Sequence, residues 1–360
     1  MARGSVAAVE RSFDQLPASE PPEARGLERD EVRLLVSRPC APATHMLFHD
    51  IASVLDRGDL LVVNASGTMK ASIQARRTFG MRVELHLSTQ LPGGLWVVEV
   101  RQSDITGSKP LRLGMAGEVL RLPEGGRASI LAPYPFVGDL FARARLWTAA
   151  LELPAPFDEY LERFGAPIRY SYVPRSWPME YYQTIFARET GSAEMPSAGR
   201  PFTPRVLNAL HDAGVAVSPI VLHTGVASLE DHEPPYEERF RVPADTAALV
   251  NRTHASGGRV IAVGTTVVRA LETVTDENGD THPGSGWTDV VIGPGRPVRA
   301  VDGLLTGFHE ATATHLALVR EVARRMHPNG ETLLQQSYAE ALERGYLLHE
   351  FGDVHLLLPS

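Results

Sequence analysis

The chain has one cysteine, Cys40, among 360 residues. An internal disulfide is therefore excluded, and so is a zinc site built on clustered cysteines. Long apolar runs are missing as well: no window approaches the roughly 20 residues that a membrane-spanning helix requires. Residues 1–11 hold no apolar core of a secretory signal. The expectation is a cytoplasmic protein with no membrane partner. No G-x-G-x-x-G follows a strand and no P-loop is present, so neither a dinucleotide nor a nucleoside triphosphate is indicated. Internal repeats and low-complexity tracts are also lacking.

What is present fits a folded, water-facing protein. An apolar fraction of 43% and a charged fraction of 22% are ordinary for a globular chain. The length suits one large domain or two of usual size. A net charge of −8 argues against nucleic-acid binding by the whole surface. The charge is uneven, however. Residues 70–150 carry 11 Lys/Arg against 6 Asp/Glu, which leaves the rest of the chain at −13. Such a basic module could hold a phosphate backbone or could be an ordinary solvated face.

Asp59-Leu-Leu-Val-Val-Asn64 reads as a buried strand. Residues 72–151 then offer short strands such as Arg82-Val-Glu-Leu-His-Leu87 and Leu95-Trp-Val-Val-Glu-Val100. Turns at Pro92-Gly-Gly and Pro123-Glu-Gly-Gly separate them, the texture of a small β-barrel. From about residue 152 strands and helices alternate. Residues 203–214 form a marked helix with Thr203 as N-cap, Pro204 in the first turn and Gly214 at the C-terminal end. Further helices are expected at 244–255, 266–273, 312–326 and 331–344, with strands at 215–222, 259–263, 287–292 and 354–358. The fold class is therefore α/β: a mixed or largely parallel sheet with flanking helices, interrupted by an inserted small β-barrel. The expected organisation is a body of residues 1–69 plus 152–360, and an insert of residues 70–151.

Several segments carry chemistry. Gly191-Ser-Ala-Glu-Met-Pro-Ser-Ala-Gly199 runs toward the capped helix; it could admit a carboxylate to free N–H groups or be a tight connection. In Val260-Ile-Ala-Val-Gly-Thr-Thr-Val-Val-Arg269, a strand ends at Gly264, Thr265 or Thr266 can cap a helix, and Arg269 lies one turn in. Ligands of open α/β sheets bind where strand ends meet helix starts; a capped core helix is the alternative. His223, in Val221-Leu-His-Thr-Gly225, could exchange protons near neutral pH or be a packed residue. His232, in the acidic stretch after Asp231, has no established metal spacing. His309 precedes a helix start, and Asp353 suits a turn.

Taken in order, these segments resemble the S-adenosylmethionine:tRNA ribosyltransferase-isomerases of queuosine biosynthesis. The resemblance rests on Arg29-Asp30 with Arg33-Leu-Leu35, Gly58-Asp-Leu-Leu-Val-Val-Asn64, Tyr182-Gln-Thr-Ile-Phe-Ala187 and Pro196-Ser-Ala-Gly199 with Phe202-Thr203. It continues through Leu222-His223 with Gly225, Gly264-Thr-Thr with Arg269 and Leu271-Glu272, Asp302 with Phe308-His309, and Tyr346 with Gly352-Asp353. It spans essentially the whole chain. It implies an α/β body with an inserted barrel, S-adenosylmethionine as ribosyl donor, no metal, and tRNA as a partner held through the insert, in a monomer or homodimer. The implied cofactor-side residues are Tyr182, Gln183, Thr184, Ser197, Gly199, Gly264, Thr265, Thr266 and Arg269. Arg269 would meet the methionine carboxylate. His309, Glu238 and His223 are the implied catalytic groups.

This sequence departs from the family's pattern in places. Asn64-Ala-Ser-Gly67 stands for Asn-Asp/Glu-Thr-Arg, Ala71-Ser-Ile73 for Ala-Arg-Leu, and Asp30-Glu-Val-Arg33 for Asp-x-Ser-Arg. Gly199-Arg-Pro-Phe202 stands for Gly-Leu-His-Phe, Tyr236 and Glu238 for His-x-Glu, and Gly307 for an asparagine. The lost arginines and the acidic net charge fit a small-molecule acceptor in specialised metabolism, whereas the basic insert fits tRNA. A catalytically silent binding homologue would keep the fold alone. No glycine-rich loop follows the first strand, which disfavours a methyltransferase.

Overall fold

A computed structural model describes residues 16–104, 107–136, 138–140, 143–226, 236–308 and 315–360. His309 and His232 lie outside the described residues. The body is built on a nine-stranded sheet. Its spatial order is Gly284–Thr288, Glu238–Val242, Ala216–Leu222, Leu60–Asn64, Val260–Val263, Gly303–Gly307, Val354–Leu357, Arg33–Ser37 and Thr44–Leu47. The four strands from Ala216–Leu222 to Gly303–Gly307 run parallel. Antiparallel neighbours flank them on both sides, so the sheet is mixed. All five residues of Leu60–Asn64 are buried, which is why that strand reads as an unbroken apolar run and not as an alternation.

Helices cover both faces. On one, Val267, Val268, Ala270 and Leu271 pack with Val250 and Val319 against Val62 and Ala262. On the other, Val206 and Leu210 pack with Phe48 and Phe202 against Leu61, Val63 and Ile261. Pro204–Ala213 begins and ends as the sequence dictates: the Thr203 hydroxyl accepts from the Val206 N–H at 3.3 Å, and Gly214 takes φ 79°. Ala244–Ala255 also has the expected bounds.

Two local expectations are corrected. The helix Thr265–Val274 has Gly264, not a threonine, at its N-cap. Gly264 adopts φ 96°, a conformation open to glycine, and turns the strand straight into the helix, so both threonines fall inside its first turn. The strand expected at 287–292 is Gly284–Thr288. Past Thr288 the chain leaves the ladder, and the Val290 carbonyl accepts from the Arg269 side chain at 3.1 Å.

The second unit is a closed antiparallel ring of six strands. Ser72–Arg76 pairs with Arg82–Gln90, which pairs in turn with Leu95–Asp104. The ring continues through Leu146–Glu152, Arg127–Tyr134 and Val119–Arg121, and returns to Ser72–Arg76. Trp147, Leu85, Val98, Ile130 and Leu120 fill it. Tyr160 and Leu161 of the helix Phe157–Phe164 join this core. Closure leaves no free sheet edge in the ring, which stabilises a small all-β unit. Among the described residues no helix is long and apolar enough to cross a membrane.

Candidate functional site

The C-terminal ends of the parallel strands carry His223 and Gly264-Thr-Thr266 among the residues singled out by sequence. Asn64, at the end of its strand, clamps the neighbouring strand. Its Nδ2 donates to the Leu222 carbonyl at 2.8 Å, and its Oδ1 accepts from the N–H groups of Leu222 and Ser66 at 3.0 Å each. Nδ2 also lies 3.4 Å from the Thr266 hydroxyl. A Cβ at Gly264 would sit 3.5 Å from Ala198, and one at Gly199 would sit 3.4 Å from Phe186 and 3.5 Å from Thr184. The structure thus gathers Thr184, Ser197, Gly199, Gly264, Thr265 and Thr266 into one neighbourhood. This is the strand-end position at which open α/β sheets bind ligands.

His223 sits beside this strip. Its Nδ1 is 2.8 Å from the Ser66 hydroxyl, which is 2.6 Å from that of Ser192. Its Nε2 lies 3.4 Å from Glu189, which also pairs with Arg241 at 2.7 Å. Burial pushes the His223 imidazole below its ordinary pKa, outweighing the carboxylate. The ring is therefore neutral at pH 7 and able to accept a proton. A Cβ at Gly191 would lie 2.5 Å from Nδ1, so only glycine lets that loop approach the imidazole.

Arg269 is 6% exposed and spends its guanidinium inside the protein. It pairs with the Glu238 carboxylate and donates to the carbonyls of Tyr236 at 3.0 Å, Val290 at 3.1 Å and Thr288 at 3.2 Å. Glu238 in turn accepts from the Gly225 N–H at 2.9 Å. Gln183 is similarly inward-turned, exchanging both hydrogen bonds with the Thr68 backbone at 2.8 and 3.0 Å. Tyr182 is buried against Phe351, and among the described residues its hydroxyl has no hydrogen-bond partner. Glu272 accepts from the N–H groups of Arg299 and Ala300 at 2.8 and 2.7 Å, a structural tether.

A small cleft, open to solvent, lies next to Ser197. Arg29, Arg200, Gly307, His349, Glu350 and the turn Gly352-Asp353 contribute to its wall. Arg29 and Arg200 share one acid, Glu23, at 3.2 and 2.8 Å. Burial draws Arg200 down to about 10 despite Glu23. His349 adopts φ 71°, and burial pushes its imidazole down to about 4. The Tyr172 hydroxyl donates to Glu350 at 2.8 Å, and burial raises the Glu350 carboxyl. Asp353 does serve its turn: it accepts from the Leu347 N–H at 2.8 Å and pairs with Arg33 at 2.6 Å. Asp30, likewise, binds the Thr203 hydroxyl at 2.6 Å and Arg205 at 2.6 Å.

Sequence reading missed His349, Glu350 and Arg200 as cavity residues, and Ser66, Ser192 and Glu189 as neighbours of His223. For His349-Glu350 a signal existed, two polar residues between Leu347-Leu348 and Phe351. Serines carry none. Among the described residues no group of three or more His, Cys, Asp or Glu side chains is placed to hold a metal ion.

Comparison with known proteins adds an independent finding. Residues 13–357 match the model of a family described as queuosine biosynthesis protein. The S-adenosylmethionine:tRNA ribosyltransferase-isomerase of Moorella thermoacetica is 34% identical over 359 residues, covering 96% of this chain and 98% of that protein. The enzyme of the same name from Geobacter sulfurreducens is 34% identical over 339 residues, 91% of this chain and 93% of its own. A crystal structure of S-adenosylmethionine tRNA ribosyltransferase from Thermotoga maritima is 28% identical. It aligns with a TM-score of 0.50 over 96% of this chain and 100% of that one.

Proposed function

Since the chain belongs to the queuosine biosynthesis protein family, we propose that it is an S-adenosylmethionine-dependent ribosyltransferase-isomerase acting on tRNA. It transfers the ribosyl part of S-adenosylmethionine to 7-aminomethyl-7-deazaguanine and releases adenine and methionine. The product ring is an epoxycyclopentanediol.

One observation carries this reading. Arg29, Ser197, Gly307 and Gly352-Asp353 come from four distant stretches of chain, each in or beside a segment of the family resemblance, and all line one cavity. A structural tether needs only its partner, whereas a shared cavity wall suits a ligand.

The chemistry sets the demands. The sulfonium acidifies the C5′ hydrogens, so a positioned base removes one. Ring opening expels adenine, which takes up a proton, and recyclisation with epoxide formation expels methionine. The protein must supply a proton acceptor, a proton donor and tight orientation. His223, neutral and held between Ser66 and Glu189, is the group able to take a proton at pH 7. Glu238, fixed by Arg269 and the Gly225 N–H, presents a carboxylate of set direction. His309 follows Gly307 by two residues and remains a proposed acid–base group. For the methionine carboxylate, Arg29 and Arg200 replace Arg269 because they line the cavity and Arg269 does not, although all three also donate to protein acceptors. Arg269 becomes a positioning residue.

Incubation with labelled S-adenosylmethionine, with and without tRNA, tests the reading by adenine release. Release that requires tRNA supports it. Release without tRNA assigns a different acceptor, and no release with intact binding leaves a silent homologue.

A further inference from the structure

The register of the barrel lines up four arginines. Arg82 is the cross-strand partner of Arg76, Arg76 that of Arg121, and Arg121 that of Arg127. They belong to four adjacent strands, and directly opposed residues of an antiparallel pair point to the same face. All four are exposed. Strands lie about 4.8 Å apart, so the row runs about 14 Å around the outside of the barrel. The next partner along, opposite Arg127, is Glu152, which ends the row.

Like charges placed directly opposite each other destabilise a sheet. The ordinary remedy is an acid beside each arginine, and elsewhere in the barrel that remedy is used. Arg77 pairs with Glu118 at 2.7 Å, and Arg101 and Arg145 share Glu99 at 3.0 and 3.3 Å. In the row only Arg127 has an acid, Glu152, directly opposite, and among the described residues the four guanidinium groups make no ion pair and no hydrogen bond. A folding argument gives no reason to keep them together. A polyanion does.

At one end of the row stands an aromatic. The turn joining Arg76 to Arg82 is closed by the Arg77 N–H donating to the Met81 carbonyl at 2.9 Å and the Gly80 N–H donating to the Arg77 carbonyl at 2.8 Å. Phe79, in that turn, is 98% exposed. An exposed phenyl beside unpaired guanidinium groups is the combination that binds single-stranded or looped RNA. Arginines fork onto phosphates, and the ring stacks on an unpaired base.

We propose that Arg82, Arg76, Arg121 and Arg127 form a phosphate-binding track for the RNA acceptor, with Phe79 stacking on one of its unpaired bases. The proposal rests on the tRNA reading above and gives the barrel its part in it. The row engages the backbone, which carries no sequence information by itself. Recognition of the modified base stays with the strand-end site.

Binding of a full-length tRNA transcript is measured across a salt series for the native protein, R76A/R121A and F79A. Removing one phosphate-binding arginine should flatten the log–log salt slope by about 0.7 where the RNA is single-stranded and 0.9 where it is duplex. The double variant should thus lower the slope by about 1.4–1.8 units, while S-adenosylmethionine affinity stays unchanged. F79A should weaken binding at every salt concentration with the slope intact. Thermal melting guards against misfolding: removing opposed like charges should leave Tm unchanged or raise it. An unaltered slope in R76A/R121A overturns the track. So does binding to anionic phospholipid vesicles, abolished in R76A/R121A, without binding to tRNA. A native protein that binds tRNA through the row yet never releases adenine keeps this inference and loses the activity. One that releases adenine with an unchanged tRNA KM in R76A/R121A does the reverse.

Discussion

The imidazole of His349 lies face to face on the ring of Tyr172, with centroids 3.9 Å apart and planes 8° from parallel. His349 forms part of the cavity wall, and its backbone sits in the left-handed region. Non-glycine residues rarely take that conformation; it costs about 1–3 kcal/mol and persists only where the surroundings over-determine it. The stacked Tyr172 ring and the buried setting do so here.

Burial of His349 makes stability depend on pH. Its folded pKa of about 4 lies below the ordinary 6.5. The unfolded chain therefore binds the extra proton first, and the contribution is present above pH 6.5 and lost as pH falls toward 4. Between pH 6.5 and 5 the loss is about 2 kcal/mol at this site. His355, fully buried with a pKa of about 3, acts in the same direction. Urea unfolding at pH 7 and pH 5 should show the drop, and His349→Phe should reduce it. An equal drop in the variant would assign the pH dependence elsewhere.

The Arg269–Glu238 pair yields two different variants. Arg269→Ala leaves a largely buried carboxylate without its cation and should cost about 3–5 kcal/mol of stability. Glu238→Gln keeps a side-chain acceptor for Gly225 and removes the charge. It should fold and bind S-adenosylmethionine, with adenine release collapsing. Melting curves and single-turnover release distinguish the two, and normal turnover in Glu238→Gln would remove it from the mechanism.

At the cavity, Arg29→Ala should weaken S-adenosylmethionine and methionine binding alike, by about 1.5–3 kcal/mol if a charge-assisted hydrogen bond to the carboxylate is removed. Adenine and 5′-methylthioadenosine lack that carboxylate and should bind as before. Calorimetry with all four ligands is the measurement. A uniform loss would mean that the cavity wall had shifted, because Arg29 also donates to the carbonyls of Gln183 at 2.9 Å and Glu180 at 3.1 Å.

Gly191→Ala introduces a methyl 2.5 Å from His223 Nδ1 and must displace the ring or the loop. The position is peripheral to the cores, so the fold should persist while the Ser66–His223 hydrogen bond breaks. Adenine release should fall by about tenfold or more, as expected for a displaced acid–base group. The His223 pKa, followed by NMR, should rise toward its ordinary value as the ring gains solvent. Unchanged turnover would return His223 to a packing role.

Much of the fold was written locally. Thr203, Pro204 and Gly214 fix a helix through N–H groups and a φ that belong to neighbouring residues. The apolar run before Asn64 is a buried strand because both of its faces are covered, and the short alternating strands of the barrel announce themselves by period. Such signals act over a few residues, and sequence displays them directly. The partners of charged groups act over the whole chain. Arg269 looked like a ligand-binding arginine until strand pairing brought Glu238 beside it from 31 positions away. Arg29 and His349 share a cavity because sheet order returns the chain's two ends to the same place. The four arginines of the barrel are scattered from 76 to 127, and only the register of four strands makes them one row. Composition announced the excess of positive charge, and hydrogen-bond pairing decided where it would face.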